Sequence, residues 1–419
     1  MEKRRKYRLY TIMYVILCLP YLFTIIAHLL NENVRLKTNT WQITELLINY
    51  QGGFVRRGIV GEFFYWLSPY IDTQMAIYVF CITCSILFFY LIFRDTIRKG
   101  YSILLLPSAF LLSSLFVSLH WVRKDIFIML LFYFIVRLQK STMSYKIFLM
   151  NIILIIGILS HEVFLFISLP LMYFSVIHKG DTLVQYKQTI RNVLKTTLYY
   201  LPALLAGFVA VLYKGNLEQA HEIWNSWAAI DVLEGDMKGA IAAIGWTPEK
   251  AIEVGTEVFK TVRCGIVYYP IMWTLLAFFA FNVYMWMGKF KLRILGYTPT
   301  RDYNTKESAY IIICQFLSML PLLIVFADTS RAFFYVVMSS YIIRLFDDEN
   351  EYSSYFGELP SAITRLTTKC EQWVSSHKKA FVISAFVIGI PSVSISALEH
   401  VVLHGQIGFL VKSIIDLFK

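Results

Sequence analysis

Thr73–Phe93 reads TQMAIYVFCITCSILFFYLIF, a run without a single charged side chain. About 20 apolar residues of helix cross the hydrocarbon core of a bilayer, and a segment inside lipid must satisfy its own backbone hydrogen bonds. A barrel would need short alternating strands, so this run and Ile103–Leu119 read as helices. The whole chain follows suit, with 57% hydrophobic and 16% charged residues and a mean hydropathy of +0.58. The expected class is an all-α polytopic integral membrane protein with about eleven transmembrane helices and further helices in its outer loops.

Working outward, the basic N-terminus MEKRRKYR precedes Leu9–Leu30, too long for a signal-peptide core and lacking a small-residue cleavage site. It reads as a retained first span with a cytoplasmic N-terminus. Besides Thr73–Phe93 and Ile103–Leu119, the expected spans are Ile126–Val136, Ile147–Leu159, Val163–Ile177, Thr197–Tyr213, Gly265–Met287, Ala309–Phe326, Ala332–Leu345 and Ala380–Leu398. Residues 1–419 form one membrane domain. A first outer loop (31–72) carries short interfacial helices at Trp41–Asn49 and Gly61–Leu67, a large outer loop spans 214–264, and a polar inner connection spans 347–379. The side on which Val401–Lys419 ends stays open. Every inner connection in this topology is basic, which accounts for most of the net charge of +11 without invoking nucleic acid. Cys81 and Cys84 form a CxxC within a span and read as packing rather than redox chemistry, and no disulfide framework or zinc spacing is present.

Four polar motifs fall on the outer side: Asn49–Gly61 (NYQGGFVRRGIVG) with Arg56 and Arg57, His120 to Asp125 (HWVRKD), Ser160-His161-Glu162, and Asp328-Thr329-Ser330-Arg331. Each has an ordinary explanation. Arg123 and Lys124 can snorkel at a helix end beside Asp125, and His161-Glu162 can bridge two helices. Asp328 and Arg331 can open a helix as an ion pair. Arg56-Arg57 can anchor lipid phosphate, although basic residues are disfavoured on this side. Taken together, five cations beside Asp125, Glu162, Asp328, His120 and His161 suit a polyanionic ligand and proton transfer, since ionisable groups at membrane depth are costly without a role.

That mixture fits a lipid-linked diphosphate. Arginine forks bind phosphate through paired charge-assisted hydrogen bonds. They would also stabilise charge developing on a departing diphosphate, while a carboxylate or histidine deprotonates a sugar hydroxyl. Outer-loop aromatics (Trp41, Tyr50, Phe54, Trp66, Trp121, Trp224, Trp227, Trp246) can stack on sugar rings or simply form an interfacial belt. No P-loop, dinucleotide fingerprint or HExxH is present, because Leu165 stands where a second metal histidine would be needed. No metal or other cofactor is expected.

The series GGFVRRG, RKD, HE and D-x-x-R across Asn49–Arg331 resembles the Wzy-type O-antigen and capsular polysaccharide polymerases, which are similar to GT-C membrane glycosyltransferases. The resemblance implies a bacterial inner-membrane enzyme whose active site faces the periplasm. It implies transfer of a glycan from undecaprenyl diphosphate onto an undecaprenyl-diphosphate-linked oligosaccharide, with membrane lipid and a chain-length regulator as partners. It implies diphosphate- or sugar-binding roles for Arg56, Arg57, Arg123, Lys124 and Arg331, and base roles for His161, Glu162 or Asp328. GT-C enzymes commonly place an acidic residue in the first outer loop, where Glu32, Glu45, Glu62 and Asp72 stand here outside any recognisable motif. A flippase for lipid-linked oligosaccharide and a related membrane glycosyl- or acyltransferase remain alternatives. The first would predict charges at mid-membrane depth and often an internal repeat.

Overall fold

The computed structural model describes residues 22–27, 29–30, 37–103, 106, 121–174, 183–247, 249–250, 252–254, 297–301, 304–325, 329–347, 352, 361–389 and 405–418. The fold is all-α, and no strand occurs among the described residues. The segment before the long α3 (Thr73–Arg98) holds α1 (Trp41–Leu46) and α2 (Ile59–Leu67). After it come α4 (Asp125–Gln139), α5 (Lys146–Ser160), α6 (Val163–Phe174), α7 (Leu183–Tyr199) and α8 (Leu201–Leu212). The large loop contributes α9 (Leu217–Ala228) and α10 (Gly239–Ile244), and the later chain α11 (Thr305–Val325), α12 (Thr329–Phe346), α13 (Ser361–Ser376), α14 (Lys378–Val387) and α15 (Gln406–Leu417). The central bundle packs α4 against α3, α5 and α12, with α11 bridging α6 and α12.

The expectation of eleven spans is not supported. Among the described residues α3 is long and apolar enough to cross a membrane, and α7 and α8 together make a second, bent by 69°. The shorter of the other helices fail for a physical reason: at 1.5 Å per residue the 12 residues of α6 reach about 18 Å, against a hydrocarbon core of about 30 Å. Polar motifs and prolines interrupt the apolar runs that sequence alone joins. Gly265–Met287 and most of Ile103–Leu119 and Leu9–Leu30 lie outside the described residues. Cys81 and Cys84 are buried free thiols, in keeping with packing.

The helix breaks are compensated by neighbours. Pro170 inside α6 leaves the Phe166 carbonyl without its helical donor, and the Ser318 hydroxyl of α11 donates to that carbonyl. At the bend before Pro202 the Asn151 amide of α5 donates to the Tyr199 carbonyl at 2.9 Å, and its oxygen accepts the Ala203 N–H at 3.4 Å. Both bonds tie a broken helix to the bundle core.

Candidate active site

The segment between α1 and α2 is a rigid hairpin rather than a free loop. Glu62 accepts the Tyr50 backbone N–H at 2.9 Å and the Gln51 side-chain amide at 3.1 Å. Asn49 donates to Ser226 of α9 at 2.9 Å, and the Trp227 indole donates to the Leu47 carbonyl at 2.6 Å. A Cβ on Gly61 would sit 2.0 Å from the Ile48 carbonyl oxygen, so the two backbones approach this closely only because that residue is glycine. The hairpin delivers Arg56 and Arg57 side by side. Arg57 has φ 69°, a left-handed conformation that costs a non-glycine residue about 1–2 kcal/mol.

What holds Arg57 there is an ion pair and a cation. Its guanidinium donates to both oxygens of Glu162, from Nε to Oε2 at 2.7 Å and from Nη2 to Oε1. Arg56 lies 3.6 Å from the same carboxylate. The Lys124 ammonium donates to the Arg57 carbonyl at 2.9 Å and approaches the Ser160 carbonyl at 3.5 Å. Three separated motifs thus meet where α4 begins and α5 ends.

Deeper in, His161 links this outer group to a second one. Its Nδ1 accepts the Val163 N–H at 3.2 Å and lies 3.6 Å from Glu162, while Nε2 lies 3.7 Å from Glu45 on α1. Glu45 is 3.4 Å from Arg331, and Arg331 donates to Asp125 Oδ1 from Nε at 3.1 Å and from Nη2 at 3.0 Å. The Tyr335 hydroxyl, one turn along α12, donates to the same oxygen, and Arg123 lies 4.0 Å from the other. Lys124, His161, Glu45 and Asp125 are at most 1% exposed, whereas the Arg56 side chain is 40% exposed. The network therefore runs from an open lip at Arg56 and Glu162 to a closed interior at Asp125.

Burial and neighbouring charge compete at each group. Burial opposes the charge on Glu162 and Glu45, but Arg57, His161 and Arg56 hold Glu162 well below the usual carboxylate range, and Arg331, His161, Lys124 and Arg57 do the same to Glu45. Burial pulls Lys124 down to about 7, reinforced by Arg57 and Arg331 and opposed by Glu45 and Glu162. Burial and Arg57 push His161 down to about 3, so the ring is neutral at physiological pH. With Nδ1 accepting from Val163, the ring proton sits on Nε2, facing Glu45.

Acid sensitivity follows. The unfolded chain takes up a proton at His161 below about 6.5 that the folded chain refuses until about 3. This group's stabilisation is therefore complete above pH 6.5 and falls through that window by about 1.4 kcal/mol per pH unit. Glu162, held below 4.5 when folded, adds to the loss only under that pH. Thermal unfolding of detergent-solubilised protein should show Tm falling between pH 6.5 and 4.5, and His161→Gln should flatten that slope whatever its own Tm.

Of the residues expected from sequence, the structure brings Arg56, Arg57, Arg123, Lys124, His161, Glu162 and Arg331 into one network. Asp328 and His120 lie outside the described residues. The four acidic candidates of the first outer loop separate clearly: Glu62 braces the hairpin, Asp72 caps α3 by accepting the Met75 N–H at 2.7 Å, Glu32 lies outside the described residues, and Glu45 enters the site. Tyr335 was not anticipated, although its i,i+4 spacing from Arg331 puts the two on one helix face. Comparison with protein-family models, curated proteins and solved structures finds no match to the chain.

Proposed function

We propose that the protein is a membrane glycosyltransferase that polymerises surface polysaccharide, moving a glycan from undecaprenyl diphosphate onto a lipid-linked repeat unit at the outer face of a bacterial inner membrane. The observation that carries this reading is the excess of cations in one network: Arg56, Arg57, Arg123, Lys124 and Arg331 against Glu45, Asp125 and Glu162, with the surplus open to solvent at Arg56. A diphosphate supplies the missing negative charge. It takes the Arg56–Arg57 pair in exchange for Glu162, because phosphate and carboxylate fit the same guanidinium fork.

The exchange also readies the base. Once relieved of both guanidiniums, Glu162 loses the attraction that keeps it strongly acidic and stands beside the reacting centre. The acceptor hydroxyl gives its proton to Glu162 and its oxygen bonds to the donor's anomeric carbon. The bond from that carbon to the diphosphate oxygen breaks, and undecaprenyl diphosphate leaves with the electron pair, stabilised by the arginines and Lys124. His161 and Glu45 keep this face of the site aligned.

A polytopic, GT-C-like topology with a cytoplasmic N-terminus belongs to the same proposal. Support comes from α3, from the bent α7–α8 pair, and from apolar side chains left exposed along one face of α8 at Leu201, Leu205, Phe208 and Leu212. That face ends at Tyr213, whose carbonyl accepts the Arg56 N–H at 2.9 Å, so a polyprenyl tail lying along α8 has its diphosphate beside the arginines.

The test is a deletion strain complemented with Glu162→Gln at matched protein level, scored by polysaccharide chain length on a gel. Gln keeps the shape and cannot accept the proton, so the ladder should collapse to the single repeat unit. An unchanged ladder overturns the assignment of Glu162, and loss of the single-unit band as well favours a flippase instead.

A further inference from the structure

The aromatic residues of the outer loops separate by burial. Trp121, Trp224 and Trp227 are at most 4% exposed; the indole of Trp224 donates to the Gly235 carbonyl at 3.2 Å and that of Trp227 to Leu47. These three are core residues. Trp66 is 68% exposed, with no aromatic partner among the described residues. Trp41 and Trp246 differ from both groups: they are partly exposed, 5.9 Å apart between ring centroids, and inclined at 52°. The pair forms an open V.

The V is built and not incidental. Trp41 opens α1, and Trp246 follows α10 by two residues. Thr44 of α1 accepts the Ala240 N–H of α10 at 2.9 Å, which clamps the two helices. Gly239, at φ +67°, permits this approach, since a Cβ there would fall 2.2 Å from the Thr44 hydroxyl. The clamp holds two large indoles together at the surface, where burial gives no reason for them.

Trp41 also stands four residues before Glu45, on the same face of α1 and one turn nearer solvent. Glu45 touches His161 and Arg331 in the interior of the charged network. The aromatic pair is therefore about one helical turn from the candidate active site. Polar residues follow Trp246 in the chain: Thr247 accepts the Lys250 N–H at 3.2 Å, and Lys250 pairs with Glu253 at 2.9 Å.

We infer that Trp41 and Trp246 form a carbohydrate subsite that holds a pyranose ring of the glycan beside the charged centre. The inference rests on the glycosyltransferase reading and adds where the sugar chain lies. Indoles offer flat apolar faces to the C–H side of a sugar ring and an N–H for a hydroxyl, which suits a ring with both apolar and polar surfaces. A bilayer-interface belt would need neither the inclined pair nor the clamp that sets it.

The experiment uses full-length protein in nanodiscs, and the probe is oligosaccharide released by mild acid from the surface polysaccharide of the source strain. Binding is followed by tryptophan fluorescence and equilibrium dialysis. Trp41→Ala and Trp246→Ala should each weaken binding roughly tenfold and raise KM for the acceptor while leaving kcat little changed, and Trp41→Phe should recover much of the loss. Unchanged affinity in both alanine variants, no binding by wild type, or a loss that tracks poorer insertion into nanodiscs overturns the subsite. The two readings fail separately. If Arg57→Ala retains a full polysaccharide ladder, the glycosyltransferase reading itself falls; if Arg57→Ala loses the ladder and the tryptophan variants bind normally, only the subsite falls.

Discussion

On the proposed glycosyltransferase reading, Arg57→Ala should abolish chain extension, lowering polymer synthesis by at least about 10²-fold, the scale on which loss of one electrostatic contact to a developing anion acts. The Arg57 fork holds Glu162 before the reaction and would hold the diphosphate during it. Arg57→Lys should also fail to restore a full ladder, because an ammonium keeps the charge without the two parallel N–H donors. Arg57→Gly separates the proposed anion-binding role from the structural one. Glycine accepts the left-handed backbone that arginine adopts at φ 69°, so this variant should unfold at a higher temperature than Arg57→Ala while being equally inactive. The checks are chain length on a gel in complemented cells and Tm of the purified variants. A normal ladder from Arg57→Ala would remove the anion-binding role of the hairpin and with it the glycosyltransferase reading.

Asp125→Ala is the substitution expected to cost most in stability, about 3–5 kcal/mol. Asp125 is 1% exposed and collects both donors of Arg331 and the Tyr335 hydroxyl on one oxygen, with Arg123 beside the other. Removing the carboxylate leaves a buried guanidinium with Glu45 at 3.4 Å as its remaining carboxylate among the described residues. The pair links the start of α4 to the start of α12, so its loss loosens the packing that closes the bottom of the site. Thermal unfolding in detergent should show a large drop in Tm, with Asp125→Asn intermediate because an amide oxygen still accepts from Tyr335. The double variant Asp125→Ala/Arg331→Met should recover part of the loss by removing the stranded charge; equal Tm values for the single and double variants would show that the charge is not what destabilises.

The motifs were legible because each breaks a local rule. Two adjacent arginines in a segment that the sequence reading places on the side where basic residues are disfavoured, and ionisable groups between apolar runs, are costly enough to stand out one by one. Glu45 broke no such rule, being one acidic residue among four in a polar loop. Only its distances to His161 and Arg331, residues far along the chain, separate it from Glu62 and Asp72. Nor could apolar runs reveal where helices stop: the span expected from Thr197 to Tyr213 runs across the junction of α7 and α8, where Pro202 and the Asn151 bonds accompany a 69° bend.

By itself, then, the sequence determined the all-α class and the polar residues to watch, because helix periodicity, length and charge cost are properties of short segments. The tertiary structure decided which of those residues meet. Glu162 pairs with Arg57, Arg331 with Asp125, and Glu45 stands behind both because α1, α4, α5 and α12 converge at one end of the bundle. That convergence depends on long-range packing, where a hairpin held by Glu62 and Gly61 and a carbonyl freed by Pro170 carry information that no local pattern contains.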